Sequence, residues 1–350
     1  MLWHGPYSPA RSDVRSFSHI DGGRRVKAPR RQFLRHVAGA GALLALPRIA
    51  RAQSYPTKPV RLVVQVGAGS APDIIARVIA QWLSDRLGQP FVVDNRPGAS
   101  GNIATEAVVR SAPDGTMLLL CMSANGINAT LFDNLRFSFV RDTVLVALLG
   151  RIPLVMELHP SVPAKTVPEF IAYAKAHPGK INMASSGNAT PLHVAGELFK
   201  MMAGVDLVHV AYRGEPVARP DLLSGQVQTM FGVVPSSLPY IRNGQMRALA
   251  VTTEQRLEVL PDVPAMAEYL PGYEASGWYG IAAPKGTPRE IVETLNAAIN
   301  AGLTDPKIKV RLAELGCLVN PGSPAEFSSF VAGEIDKWAK VIRTAGIKPE

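Results

Sequence analysis

Three glycine- and hydroxyl-rich stretches of this sequence each join an apolar run to a helical pattern. Val63-Val64-Gln65-Val66 runs into Gly67-Ala68-Gly69-Ser70-Ala71-Pro72-Asp73. Pro97-Gly98-Ala99-Ser100-Gly101-Asn102 follows the strand-like residues 91–94, and Ser185-Ser186-Gly187-Asn188-Ala189-Thr190-Pro191 follows residues 181–184. A helix start leaves N–H groups unbonded and carries about half a positive charge, so each stretch could hold an anion. For the first stretch the anion could be a pyrophosphate. Strand, glycine turn and helix start is the context of the dinucleotide fingerprint, and Asp94 lies 25 residues beyond Gly69, near the place of a ribose-binding acid. Against this stands Pro72 at the sixth fingerprint position, where Gly or Ala lets helix and strand pack closely. A NAD-dependent oxidoreductase using the turn from Gly67 to Pro72 and a site for some other anion, such as a carboxylate, both remain open on these residues.

Other chemistry finds less support. Ser185 or Ser186 with His193 could begin a hydrolase triad, but the G-x-S-x-G elbow is absent and His193 follows only one loop and a helix turn later. No pair of carboxylates stands out as acid and base. Cys121, Cys317 and seven scattered histidines have no metal-ligand spacing. Cys121 ends the apolar run MLLLC and reads as a buried small hydrophobe, and both cysteines are expected to be unpaired. The expectation is no catalytic residue, no cofactor and no metal.

The formal charge of +9 on 350 residues suggests nucleic acid until its distribution is examined. Residues 1–52 hold ten Lys and Arg against two Asp and Glu; of the totals, 37 and 28, the rest of the chain keeps 27 and 26. A basic face for phosphate backbones is therefore not expected. The basic segment reads as an export leader instead. Pro29-Arg30-Arg31-Gln32-Phe33-Leu34-Arg35 is a twin-arginine pattern, residues 36–46 are apolar, and Ala50-Arg51-Ala52 offers small residues for cleavage. Such a run is too short for a bilayer about 30 Å thick. Residues 1–29 form an N-terminal extension. With no cysteine before Cys121 there is no lipid anchor, and the product expected after cleavage near Ala52 is free in the periplasm.

Strand-like and helix-like runs alternate through the mature chain. Strands are expected at residues 60–66, 91–94, 116–122, 181–184, 206–212, 227–231, 247–251 and 279–282. Helices are expected at 72–87, 103–111, 167–176, 191–203, 219–224, 235–243, 288–303, 306–315 and 324–345. Residues 144–156 form a long apolar run broken by Arg151 and Pro153, and the stretch before it is looser. Alternation of this kind gives an α/β protein with mostly parallel sheets. Ser70-Ala71-Pro72-Asp73 and Thr287-Pro288-Arg289-Glu290 each read as a capping box.

Many segments, in order, resemble one family, the solute receptors of tripartite tricarboxylate transporters, also called Bug receptors. They include Tyr55-Pro-Thr-Lys-Pro-Val60, Gly69-Ser-Ala-Pro-Asp-Ile-Ile-Ala-Arg77, Leu87-Gly-Gln-Pro-Phe-Val-Val-Asp-Asn-Arg-Pro-Gly-Ala-Ser-Gly101 and Ala112-Pro-Asp-Gly115. Ala184-Ser-Ser-Gly187, Ala211-Tyr-Arg-Gly214, Asp221-Leu-Leu-Ser-Gly-Gln-Val227, Arg247-Ala-Leu-Ala-Val-Thr252, Leu260-Pro-Asp-Val-Pro264 and Ala283-Pro-Lys-Gly-Thr-Pro288 continue it. The resemblance implies a two-domain periplasmic binding protein of type II. Residues 53–153 and 276–350 would form one domain and 154–275 the other, joined by crossovers near Arg151–Pro153 and Gly277–Gly280. It also implies a monomer that holds a small organic carboxylate and meets membrane components of a transporter or, alternatively, a sensor kinase. Carried over by position, the contacts would be Gly69, Ser70, Asp73, Ser123 and Asn125 in one domain. Ser186, Gly187, Asn188, Thr190, His193 and Arg213 would supply the other. Phe137-Ser-Phe-Val-Arg-Asp-Thr143, Glu215-Pro216 and Gly232 depart from the family pattern. The missing acid at Gly232 and the new one at Glu215 favour a ligand without an ammonium group.

Overall fold

The computed structural model describes residues 55–349. The leader motifs and the cleavage site near Ala52 lie outside them. Two α/β lobes make up the described chain, each a sheet flanked by helices. In chain order, β1 (Val60–Val64), α1 (Ala71–Leu87), β2 (Phe91–Asn95), α2 (Asn102–Val109), β3 (Met117–Met122), α3 (Ser123–Leu131), α4 (Phe139–Asp142) and β4 (Thr143–Ile152) begin the first lobe. The second runs β5 (Leu154–Leu158), α5 (Val167–Ala176), β6 (Asn182–Ser185), α6 (Pro191–Ala203), β7 (Val208–Ala211), α7 (Glu215–Leu223), β8 (Thr229–Val233), α8 (Val234–Arg242) and β9 (Arg247–Val251). The chain then returns through β10 (Gly277–Pro284), α9 (Arg289–Thr304), α10 (Pro306–Glu314), β11 (Leu318–Val319) and α11 (Pro324–Ala345).

The sheet orders are β11-β4-β10-β3-β1-β2 and β7-β6-β8-β5-β9. Strands β1, β2 and β3 are parallel, as are β6, β7 and β8, while β5 and β10 run against their neighbours. It follows that β4 leaves the first sheet at its carboxyl edge and β5 enters the second at the edge where β6, β7 and β8 end. Pro153 joins the two, and the carboxyl-end loops of both sheets gather at this crossing. In open α/β sheets this is the edge where ligands sit. The return path lies beside it. Leu154 N–H donates to Thr252 Oγ1 at 3.0 Å, Thr252 N–H to the Leu154 carbonyl at 2.9 Å, and Gly277 pairs with Ile152.

Several expectations needed correction. The looser stretch before residue 144 contains helices α3 and α4. Strand β1 ends at Val64, and α7 starts at Glu215, four residues before the expected helix. Neither capping box forms. Ser70 makes no side-chain cap; its hydroxyl donates to the Gly67 carbonyl at 2.8 Å, while Asp73 reaches past it to Gly69. Thr287 donates to the Pro284 carbonyl, and α9 starts without a side-chain cap. A genuine box closes α11, where Ser323 and Glu326 bond each other's backbone N–H groups. The difference is competition: nothing else claims Glu326, whereas Arg77 and Asn95 both pull on Asp73. Cys121 and Cys317 are buried and free.

Helix α11 ties the lobes together. It packs on both α3 and α6, and Trp338, Val341 and Ile342 share an apolar cluster with Ile127, Leu131, Phe199 and Phe231. Each such side chain, fully buried, contributes about 1.5–3 kcal/mol.

Candidate functional site

In the first lobe the loop after β1 is shaped from beneath. Gln65 is buried and donates to Asn125 Oδ1 at 2.8 Å; that oxygen also accepts the Met122 N–H at 2.9 Å. The Asn125 amide donates onward to Thr105 Oγ1 at 2.8 Å. Asn125 therefore spends its polar atoms inside the lobe, joining the β1 loop to the start of α3, where Ser123 is also buried. Gly101 has φ +89°, and a Cβ there would lie 1.8 Å from Gln65 Oε1, so only glycine lets the second loop cross this point.

Asp73 is buried in the first turn of α1. One oxygen accepts the Gly69 N–H at 2.8 Å and Arg77 Nε at 3.0 Å; the other accepts Arg77 and the Asn95 amide at 2.9 Å. Burial pushes this carboxyl upward, but bonds from Arg77, Gly69 and Asn95 outweigh it and hold it below its ordinary value. With Asp73 turned inward, Gly67, Ala68 and Gly69 are left exposed at the helix start and Ser70 half-buried. Gly69 takes φ +83°, a conformation suited to glycine. Asp94, the candidate ribose acid, is paired with Arg96 at 2.8 Å.

In the second lobe the loop from Ser185 to Thr190 rests on two histidines. Ser185 Oγ donates to the Gly187 carbonyl at 3.0 Å, accepts the Gly187 N–H at 3.2 Å and meets His209 Nε2 at 2.6 Å. His209 stacks on His193, ring centres 3.5 Å apart. His193 Nδ1 accepts the Ala189 N–H at 3.0 Å, which fixes its tautomer and leaves Nε2 facing Glu197 at 3.5 Å. Burial, then the adjacent His193, push His209 down to about 4. Burial drives the Glu197 carboxyl up, but bonds from His193 and Lys200 overcome it and leave it lowered. His193 is thus placed to hold the loop's backbone. Thr190 Oγ1 closes the turn on the Gly187 carbonyl at 2.8 Å, and Gly187 has φ +136°. Ser186, Gly187 and Asn188 are half-buried; the Asn188 amide donates to the Lys348 carbonyl at 2.6 Å. Arg213 is exposed and forms no ion pair among the described residues.

Three important residues escaped the sequence reading. His209 carried the signal of a histidine inside V-H-V-A, a strand ending at this edge. Glu157 and Arg219 are buried and paired, with Glu215 on the other side of the guanidinium. An acid inside the apolar run of β5 and an arginine four residues after Glu215 were the available signals. Among the described residues no cluster of His, Cys, Asp and Glu is placed to hold a metal, and no helix is long and apolar enough to cross a membrane.

Comparison with known proteins bears on this geometry. Residues 75–347 match the family described as the tripartite tricarboxylate transporter family receptor. Protein BugT of Bordetella pertussis is 36% identical over 320 residues, covering 90% of this chain and 98% of the relative. A solved R. palustris structure with adipate is 36% identical at TM-score 0.73, covering 85% of this chain and 100% of its own. A second, MatC from Rhodopseudomonas palustris with bound malate, is 32% identical at TM-score 0.69, covering 82% and 100%.

Proposed function

Since this chain belongs to the tripartite tricarboxylate transporter receptor family, we propose that it captures a small carboxylate between its two lobes and delivers it to that transporter's membrane components. The observation that carries this reading is the convergence of loops at the Pro153 crossing. The exposed turn Gly67–Gly69, whose Gly69 N–H is held by Asp73, stands at the start of α1, and half-buried Ser186, Gly187 and Asn188 stand at the start of α6, with exposed Arg213, which has no ion pair among the described residues, next to the latter. Helix starts, hydroxyls and one free guanidinium suit a carboxylate. The relatives that carry adipate and malate point to the same ligand class.

In this reading Gly69, Ser70, Ser186, Gly187, Asn188, Thr190 and Arg213 face ligand. Asp73, Asn125 and His193 shape the loops that do so, and Ser123 offers the start of α3. Residues 53–153 with 276–350 move as one lobe and 154–275 as the other, closing about the paired segments at Pro153 and Gly277. The working form is an exported monomer, released near Ala52 without lipid. The carboxylates of Asp73 and Glu215 are taken by Arg77 and Arg219, so neither is free to meet an ammonium group, and the ligand is a non-amino acid.

Thermal unfolding of the mature protein against a panel of organic acids tests this. Ligand at about 100 times Kd adds about 2.7 kcal/mol, and Arg213→Ala weakens the same response. If no carboxylate stabilises the protein at millimolar excess, the reading fails; saturable NADH binding would replace it with the dinucleotide alternative.

A further inference from the structure

Glu215, the first residue of α7, lies at the ligand-facing edge of the second lobe and does not point its charge into solvent. One carboxylate oxygen accepts from the Arg219 guanidinium and the Ser236 hydroxyl; the other accepts the Val233 N–H, just before α8, at 3.3 Å. Arg219 is 6% exposed at its side chain, donates to Ser237 Oγ at 3.2 Å and lies 5.5 Å from the Tyr240 ring centre. Its remaining arm meets Glu157, which is fully buried and whose Oε1 has no hydrogen-bond partner among the described residues. Gly232 closes the floor, since a Cβ there would stand 2.6 Å from Glu157 Oε1 and 2.7 Å from Ser237 Oγ.

A guanidinium, a hydroxyl and a backbone amide at a helix start form a donor set that grips a carboxylate wherever it comes from. Here the chain supplies it. Burial raises Glu157 to about 8, with Arg219 pulling the other way. Glu157 and Glu215 thus share one guanidinium, and Glu215 holds the less buried of the two positions on it. A pocket of about 320 Å³ bordered by Glu215, Arg219, Ser236 and Tyr240 gives an added acid a way in.

We propose that Arg219, Ser236 and the Val233 amide form a second carboxylate position in this lobe, filled by the protein's own Glu215, so that a ligand brings at most one acid group to this side of the cleft. The selectivity part rests on the receptor reading above; the site itself does not.

The first experiment is thermal unfolding of Glu215→Ala with acetate, against chloride at equal ionic strength. The site predicts that Glu215→Ala melts lower than the parent and that acetate restores it saturably. The parent and the Glu215→Ala/Arg219→Met double variant, which keep any other carboxylate site, should gain distinctly less from acetate than Glu215→Ala does, and nothing from chloride. Should Glu215→Ala fail to fold unaided, refolding from urea gives the same answer: recovery with acetate alone supports the site, and recovery in neither salt overturns it, as does a melting curve indifferent to acetate. The second experiment compares mono- and dicarboxylate affinities of parent and Glu215→Ala. A shift of about tenfold or more towards dicarboxylates, near 1.4 kcal/mol, supports the selectivity, and unchanged preference overturns it. A parent that binds no acid at all, with acetate rescue intact, sinks the receptor reading and leaves the site standing.

Discussion

The two lobes use the same local device under opposite solvent conditions. Asp73 with Arg77 and Glu215 with Arg219 are both acid–arginine pairs four residues apart at the start of a helix that follows a cleft-edge strand. In both, the acid also takes a backbone N–H from outside its helix, Gly69 of the preceding turn in one case and Val233 at the end of β8 in the other. Arg77 has its side chain 53% exposed, whereas that of Arg219 is 6% exposed and touches a second buried acid. Where water reaches the guanidinium, the Coulomb attraction is screened and the carboxylate's hydrogen bonds carry the interaction. Where water is excluded, the attraction is large but so is the cost of leaving any member alone. One pair is a shaped surface; the other is all-or-none.

The comparison breaks most visibly at Arg219. Arg219→Met leaves Glu157 and Glu215 facing each other without a cation and should cost about 3–5 kcal/mol, read from urea unfolding; a loss below about 1 kcal/mol would put Arg219 in the same class as Arg77. Next comes Asp73→Ala. Loss of a buried carboxylate bonded to Gly69, Arg77 and Asn95 should cost about 2–3 kcal/mol, with faster hydrogen exchange at the Gly69 amide and weaker ligand binding. Normal exchange there would mean the loop holds its own shape. Arg77→Ala is the smallest change, at most about 1 kcal/mol, because Gly69 and Asn95 keep hold of Asp73.

Acid and base separate the second lobe further. His209 is held at about 4 against its ordinary 6.5, so between those values the unfolded chain binds more protons and stability falls as pH drops from about 6.5 to 4. Glu157 is raised from 4.5 to about 8. The folded chain holds the extra proton in that window, and stability falls as pH rises through it. His209→Gln should flatten the acid limb of a melting-temperature profile and Glu157→Gln the alkaline limb. If either variant leaves its limb unchanged, that group is not the one titrating.

Much of the architecture was legible because it rests on periodicity. Helices Val167–Ala176, Pro191–Ala203 and Pro324–Ala345 and strand Arg247–Val251 fall where the apolar pattern puts them. Of the two expected breaks, Pro153 falls between strands of different sheets, whereas Arg151 lies inside β4 and pairs with Trp278. Helix α3 was not legible. Its sequence, SANGINATL, is poor in strong helix formers, and tertiary bonds of Asn125 to Thr105 and Gln65 and of Asn128 to Asn102, together with burial of Ile127 and Leu131, hold it instead. The loops of the candidate site were visible as loops. What could not be read was which polar atoms they offer, because Arg77 one helical turn on, and Asn95 and His209 far along the chain, decide which groups are already taken.

The bond from Asn188 to the Lys348 carbonyl joins the segment after α11 to the loop proposed to hold ligand. A purification handle fused after Glu350 would therefore begin within three residues of that contact, and binding constants should be measured with and without it. If the lobes close as proposed, an environment-sensitive dye on Lys348→Cys would report the loop moving against this segment as a fluorescence change on ligand addition, while a signal flat across saturating ligand would show that the two keep their mutual position.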